Sequence, residues 1–399
     1  MPCGGTATTP HARGTAEPTP ATVRVEPRAK AEPFRVGRLT SWPMKPVSLT
    51  EYFDGRAGLV ATWPGSEYSR RPARLVNPEI ADPFFRRLYR FFGSRTPAEG
   101  VATFHDATVF GGGTIRVDDG RFVAESVRIS MTQDPDVLTA KDVGCRVRLT
   151  FRCAVFVGRY VQTGNYAHFL VEVLPRFLLD RDQLPDDAPI LLHESARPVA
   201  ADVLRVAGLD PARIEWIGRD PVGVETLCWP TPNTLHPLHH SPRIFPGLRS
   251  LAEDQSCGPA HRRLYVSRAD ASRRRLLNES EVLDVLAPSG FECVFPGQMP
   301  FEDQVRTFAD ADVVVGICGA GLTNMVFMPP GGTVVMLSPS SVPGVFFWDI
   351  AHHLDIEFVA LWGPNADPAD CGQHPDFRVD TGVLQEALVR VLKPDRSAT

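Results

Sequence analysis

The chain has 399 residues, 43% of them hydrophobic and 22% charged, which is enough apolar material for a sizeable core in two ordinary domains. Its 32 glycines and 37 prolines indicate many loops without low complexity, and 42 basic against 47 acidic residues leave a net charge of −5. Collagen, coiled coil, disordered scaffold and a binder of nucleic acid driven by phosphate contacts are thereby excluded.

Residues 1–33 hold no aromatic side chain, and only Met1, Val23 and Val25 are large and apolar. That stretch reads as an exposed, disordered tail with no secretory signal. The eight cysteines (Cys3, Cys145, Cys153, Cys228, Cys257, Cys293, Cys318 and Cys371) show neither a Cys-x-x-Cys pair nor metal-ligand spacing. They fit reduced thiols in a cytoplasmic protein. From residue 34 to about 121 the chain is aromatic-rich and irregular. Residues 122–129 and 146–151 alternate apolar and polar side chains and predict half-buried strands; 153–158 predicts a buried one. Phe169, Val173, Phe177 and Leu178 recur at helical spacing within 165–180. A strand at 189–193, a helix at 198–207 and a strand at 213–218 complete a first α/β domain, placed at 34–240. Residues 230–246, with five prolines and three histidines, read as the interdomain connection.

The second domain, 241–399, is more regular. Strands are predicted at 264–267, 291–295, 313–317, 333–337 and 356–361. Helices are predicted at 278–288, where Asn278 and Glu281 form a capping box, and at 301–311, 324–328, 344–354 and 383–392. The charge-free run 313–348 cannot cross a membrane as a helix, because Gly319, Gly321, Asn324 and the Pro329-Pro330-Gly331-Gly332 turn interrupt it. The pattern is that of a doubly wound domain, with ligands expected at the carboxyl ends of its strands.

Three clusters carry chemistry. Ser267-Arg268 follows a strand, and Arg273-Arg274-Arg275 precedes a helix, so guanidinium groups gather where a diphosphate could sit; a solvated basic loop is the competing reading. Gly316-Ile317-Cys318-Gly319-Ala320-Gly321-Leu322-Thr323-Asn324 allows close backbone approach to a ligand, although a tight turn alone needs no more. It is neither a dinucleotide fingerprint nor a phosphate-binding Walker loop. Third, His168 and Glu172 lie four apart on one helix face, which suits a carboxylate-oriented general base or, equally, a core histidine at a helix start.

Taken in order, Tyr265-Val266-Ser267-Arg268, Arg274 before Asn278-Glu279, Gly290-Phe291-Glu292, Asp303-Gln304 and the run from Ala311 to Asn324 resemble glycosyltransferase family 61. Asn165-Tyr166-Ala167-His168-Phe169-Leu170 with Pro175-Arg176 resembles the family's upstream motif. The resemblance covers residues 160–340, of the capsular-polysaccharide and xylosyltransferase-like kind. It implies a GT-B-like α/β fold of two Rossmann-like doubly wound domains facing a cleft. It implies an inverting hexosyl- or pentosyltransferase that needs no metal and no cofactor beyond its nucleotide-sugar donor. The acceptor would be a glycan or polysaccharide, such as a bacterial surface or capsular precursor, with peripheral association to membrane-bound glycan machinery. On this resemblance the donor is held by Arg268, Arg274, Asn278, Cys318, Gly319, Ala320, Gly321, Leu322 and Asn324. Asn165, Tyr166 and Arg176 lie on the acceptor side, and His168 with Glu172 is the base. One departure stands out: the family's glycine loop usually begins His-Gly-Ala-Gly-Leu, and Cys318 stands where that histidine falls. The alternative is therefore a catalytically degenerate protein that binds a nucleotide sugar or glycan without turnover.

Overall fold

A computed structural model describes residues 46–110, 113–126, 146–157, 164–235, 238–253, 261–370, 372 and 374–392. The expected tail at 1–33, residues 127–129 of the strand expected at 122–129, and Cys3, Cys145, Cys257 and Cys371 lie outside these residues. Cys153, Cys228, Cys293 and Cys318 are free thiols.

The carboxyl-terminal half is built on a six-stranded sheet in the order Phe291–Val294, Arg262–Val266, Ala311–Ile317, Thr333–Pro339, Glu357–Gly363, Arg74–Leu75. Every neighbouring pair is parallel. Val313, Val314, Val315 and Ile317 are buried, as a central parallel strand covered on both faces requires. Because the strands run the same way, the residues after Val266, Ile317 and Pro339 emerge along one edge. Arg74–Leu75 comes from before residue 240, so this sheet is not drawn from 241–399 alone.

The other sheet is mixed. Leu149–Phe156, Ile190–His193 and Ile214–Ile217 pair in parallel, as their apolar runs suggest. Val222–Pro230 adds a parallel partner on one side of Leu149–Phe156 and an antiparallel one, Glu99–Val109, on its own far side. Neither of these two long strands was expected from the sequence. Among the described residues 122–126, the strand is only Phe122–Val123, followed by a 3₁₀ turn at Ala124–Ser126, so this part departs from expectation.

The helix expected over 165–180 is interrupted. Asn165 caps its start by accepting from the Ala167 N–H at 3.0 Å. Phe169–Val173 then widens into a π-turn, in which the Leu174 N–H reaches the Phe169 carbonyl. Pro175 has no N–H to continue the α-pattern, and the widened turn takes up the mismatch.

Several residues of 230–246, the stretch expected to connect the domains, are buried. A short hairpin, Thr234–Leu235 against His239–His240, is folded inward, and Thr231, Asn233, His240 and Ser241 are buried. His240 donates its backbone N–H to Asp349 Oδ2 at 2.8 Å, and its Nδ1 lies 2.7 Å from the same oxygen. The other carboxylate oxygen accepts from Arg70 Nε at 2.5 Å and Tyr68 Oη at 2.8 Å. Asp349 is fully buried on the helix Val345–Leu354. Burial alone would raise its pKa; the hydrogen bond and charge of His240, with the charge of Arg70, hold it below the usual carboxylate range instead. Asp349→Ala should therefore cost about 3–5 kcal/mol in urea unfolding, the penalty for leaving a buried guanidinium without its partner.

Beside the hairpin, Arg243 bridges Glu99 (3.4 Å) and Asp180 (3.3 Å). Burial pushes the Glu99 carboxyl up to about 7, against hydrogen bonds from Ser241 and Arg243. Between the unfolded value and about 7 the folded chain keeps a proton that the unfolded chain has lost. Glu99 therefore subtracts stability progressively as pH rises through that window. Glu99→Gln should flatten the stability profile between about pH 4.5 and 7, measured by denaturant midpoints across a buffer series.

Candidate active site

The glycine loop leaves the end of the Ala311–Ile317 strand. The Cys318 N–H donates to the Leu337 carbonyl at 2.8 Å, so the loop's first residue is still held by the sheet. The following Ala320–Phe327 is a 3₁₀ helix, and it starts earlier than the expected 324–328. Glycine is needed here for space: a Cβ on Gly316 would lie 2.8 Å from Leu322 Cδ1, and one on Gly319 would lie 2.1 Å from an Arg268 guanidinium nitrogen. Gly321 is less crowded, with Pro296 Cγ at 3.3 Å from such a Cβ.

Two arginines converge on this loop. Arg268 follows its strand and lays its guanidinium over Gly319, donating to the Arg273 carbonyl at 3.3 Å. Its Nε is buried and has no hydrogen-bond partner. Burial, and then the charge of Arg274, lower its pKa. Arg274 donates from one terminal nitrogen to the Cys318 carbonyl at 2.7 Å, with Cys318 Sγ 3.8 Å away. Two like charges are thus held together at the carboxyl edge of a parallel sheet. The arrangement raises the energy of the protein alone and lowers that of an anion placed there.

The first-half motif meets this loop directly. Tyr166 Oη donates to Asn324 Oδ1 at 2.6 Å, and Asn324 Nδ2 donates to Gln304 Oε1 at 2.9 Å and the Gly321 carbonyl at 3.0 Å. Two residues along from Tyr166, His168 Nδ1 lies 2.8 Å from Glu172 Oε1; both side chains are mostly buried. The imidazole ring centre is 6.3 Å from that of Phe346. The carboxylate on Nδ1 fixes the orientation of the ring.

Other expected site residues have structural partners. Arg176 is buried, donating to the Pro230 carbonyl at 2.9 Å and the Val157 carbonyl at 2.7 Å, with its guanidinium over Trp229. It ties strand ends together. Asn278 is also buried, and it does not form the expected capping box. Its Nδ2 donates to Glu281 Oε2 (3.1 Å) and the Val379 carbonyl (2.9 Å), while its Oδ1 accepts from the Val379 N–H (3.1 Å). Asn165 is used by its own helix cap. Leu322 and Asn324 are fully buried, Leu322 in the core. The Asp349 network escaped the sequence reading altogether, since Tyr68, Arg70, His240 and Asp349 are far apart in the chain and share no motif. Among the described residues, no group of three or more metal-ligating side chains could hold an ion, and no helix is long and apolar enough to cross a membrane.

Residues 166–336 match the family model described as Glycosyltransferase 61. That span holds both His168–Glu172 and the arginine–glycine loop. No curated protein matches the chain. Among solved structures, it is 11% identical to the bacterial iron-containing dodecameric glycosyltransferase TibC from enterotoxigenic E. coli H10407, over 62% of this chain and 77% of that one, with a TM-score of 0.26. Against the dodecameric iron-containing heptosyltransferase TibC in complex with ADP-D-beta-D-heptose the identity is 12%, the coverage 62% and 77%, and the TM-score 0.28. Likenesses that weak carry no argument about this chain.

Gly319→Ala tests the packing of the loop. The new methyl meets the far end of a flexible side chain, so Arg268 should be displaced while the fold stays intact. Anion affinity should fall by about 1–2 kcal/mol, as when one charge-assisted hydrogen bond is lost. Calorimetric titration with a nucleoside diphosphate, beside a thermal melt, separates the two effects.

Proposed function

We propose that the chain is an inverting glycosyltransferase that moves a sugar from a nucleotide-sugar donor to a glycan or polysaccharide acceptor. The observation that carries this reading is the convergence of Arg268 and Arg274 on the glycine loop. The donor diphosphate would lie against these two groups, so the charge that grows on the leaving nucleotide is met by guanidinium rather than by a metal ion. The acceptor hydroxyl oxygen attacks the anomeric carbon from the opposite side as the bond to phosphate breaks, and its proton passes to His168 Nε2. Glu172 holds the imidazole in orientation and stabilises its charge once protonated. This reading takes the two sheets as the cores of a GT-B-like pair of Rossmann-like domains, about 34–240 and 241–399. It places the enzyme in the cytoplasm, supplied with nucleotide sugars and acting on a surface or capsular polysaccharide precursor.

Cys318 favours a second reading, binding without turnover, because a nearly buried thiol beside Arg274 offers no titratable imidazole at the mouth of the loop. A nucleotide-release assay with a panel of nucleotide sugars and glycan acceptors decides between them. His168→Ala should lower turnover by about 10²–10⁴-fold with donor affinity nearly unchanged. Arg268→Ala should weaken nucleotide binding by about 1.5–3 kcal/mol. Parental turnover in His168→Ala would remove the base, and parental nucleotide affinity in Arg268→Ala would remove the phosphate site. Nucleotide binding without release under any pairing would leave the second reading.

A further inference from the structure

Residues 374–377 lie against the arginine loop in a fixed register. The Arg274 N–H donates to the His374 carbonyl (3.2 Å), the Phe377 N–H to the Arg275 carbonyl (3.0 Å) and the Leu277 N–H to the Phe377 carbonyl (2.8 Å). Arg275 fastens the same stretch again, through two guanidinium bonds to Asp376 Oδ2 (3.0 and 2.6 Å) and its backbone N–H on Oδ1 (2.8 Å). Arg274 itself sits at φ 57°, a left-handed conformation that is costly for a residue with a Cβ. The outcome of this construction is that His374 Nδ1 lies 3.1 Å from the second terminal nitrogen of Arg274. A guanidinium can only donate, so Nδ1 accepts and the neutral ring carries its hydrogen on Nε2.

The surroundings of the ring are one-sided. After burial, the charges of Arg274, Arg273 and Arg268 all oppose its protonation, and Asp370 alone favours it. Cys318, on the other flank of Arg274, contributes its carbonyl and a thiol. An exposed histidine needs no such company for folding. A diphosphate placed among these arginines reverses the field at the imidazole and makes the charged form the favoured one.

We infer that His374 is a ligand of the donor's diphosphate, neutral without the donor and imidazolium with it, so that donor binding takes up a proton. The inference rests on the donor reading above and adds to it a residue from a separate segment and a pH dependence. The proton comes from solvent and enters at Nδ1. That displaces the Arg274 nitrogen from the ring and turns it toward phosphate oxygen, while Nε2–H donates to a second oxygen. No covalent bond changes.

Isothermal titration of UDP, GDP, CDP and ADP, in buffers of differing ionisation enthalpy near pH 7.5, counts the protons taken up per nucleotide bound. The parent should take up about half a proton more than His374→Gln. The variant should bind about tenfold more weakly near pH 6.5 and within about threefold of the parent near pH 9, where the imidazole is neutral in both states. His374→Lys, with its charge always present, should keep affinity across that range without the extra proton. Parental affinity and proton uptake in His374→Gln, alongside weakened binding in Arg268→Ala, would overturn the role of His374 and leave the donor site standing. A parent that binds none of the four nucleotides overturns both.

Discussion

A single buried carboxylate, Asp349, holds together three parts of the chain that the sequence keeps far apart. Its oxygens accept from Tyr68 and Arg70 on one side and from His240 on the other. A carboxylate with no solvent contact is tolerable only when its partners replace the water it has lost. Here they do, and the consequence is spatial. The helix Val345–Leu354 cannot shift without breaking bonds to both the segment around residue 70 and the hairpin around residue 240. Phe346 on that helix stands between the rings of His168 and His240, so the position of the candidate base is referred, through one aromatic ring, to the same anchor.

A second polar contact completes the frame. Tyr166, Asn324 and Gln304 form a chain of hydrogen bonds from the start of the His168 helix into the 3₁₀ helix behind the glycine loop. Burial raises the Tyr166 phenol well above its ordinary range, so the hydroxyl stays a donor at any relevant pH. The candidate acid–base and anion-binding groups come from distant sequence, yet they are fixed by contacts only a few residues from each. The proposed displacement would require this, since a base and a leaving-group site must keep their separation while the bond changes hands.

The central strands of the carboxyl-terminal sheet were legible because they are short apolar runs bounded by turn residues, the signature of strands covered on both faces, whereas the two-residue edge strand Arg74–Leu75 carries no such pattern. The arginine and glycine clusters were legible for a related reason: residues that meet at the ends of parallel strands also follow those strands in sequence. Val222–Pro230 was missed because Glu225 and Thr226 interrupt its apolar pattern, and only its two partners make it a strand. Arg176 and Asn278 looked available for ligands because sequence gives residue type but not company. Their partners, the Val157, Pro230 and Val379 carbonyls, are backbone groups, invisible to any motif. The prolines of 230–246 suggested a connection with little regular structure, but proline only removes N–H donors. It does not keep a segment at the surface when histidine and serine beside it find buried partners.

The strand Arg74–Leu75 closes the outer edge of the second sheet against Glu357–Gly363, and nearby the Asn77 side chain holds both the N–H and the carbonyl of Trp362, 285 residues further on. During synthesis, the amino-terminal piece of this pairing must wait for a strand made some 285 residues later. Until they meet, Glu357–Gly363, whose residues after Glu357 are all buried in the finished fold, presents an open apolar edge. Such edges recruit other chains. The contact therefore acts as a late closing step, in which a strand made early covers the edge of one made much later.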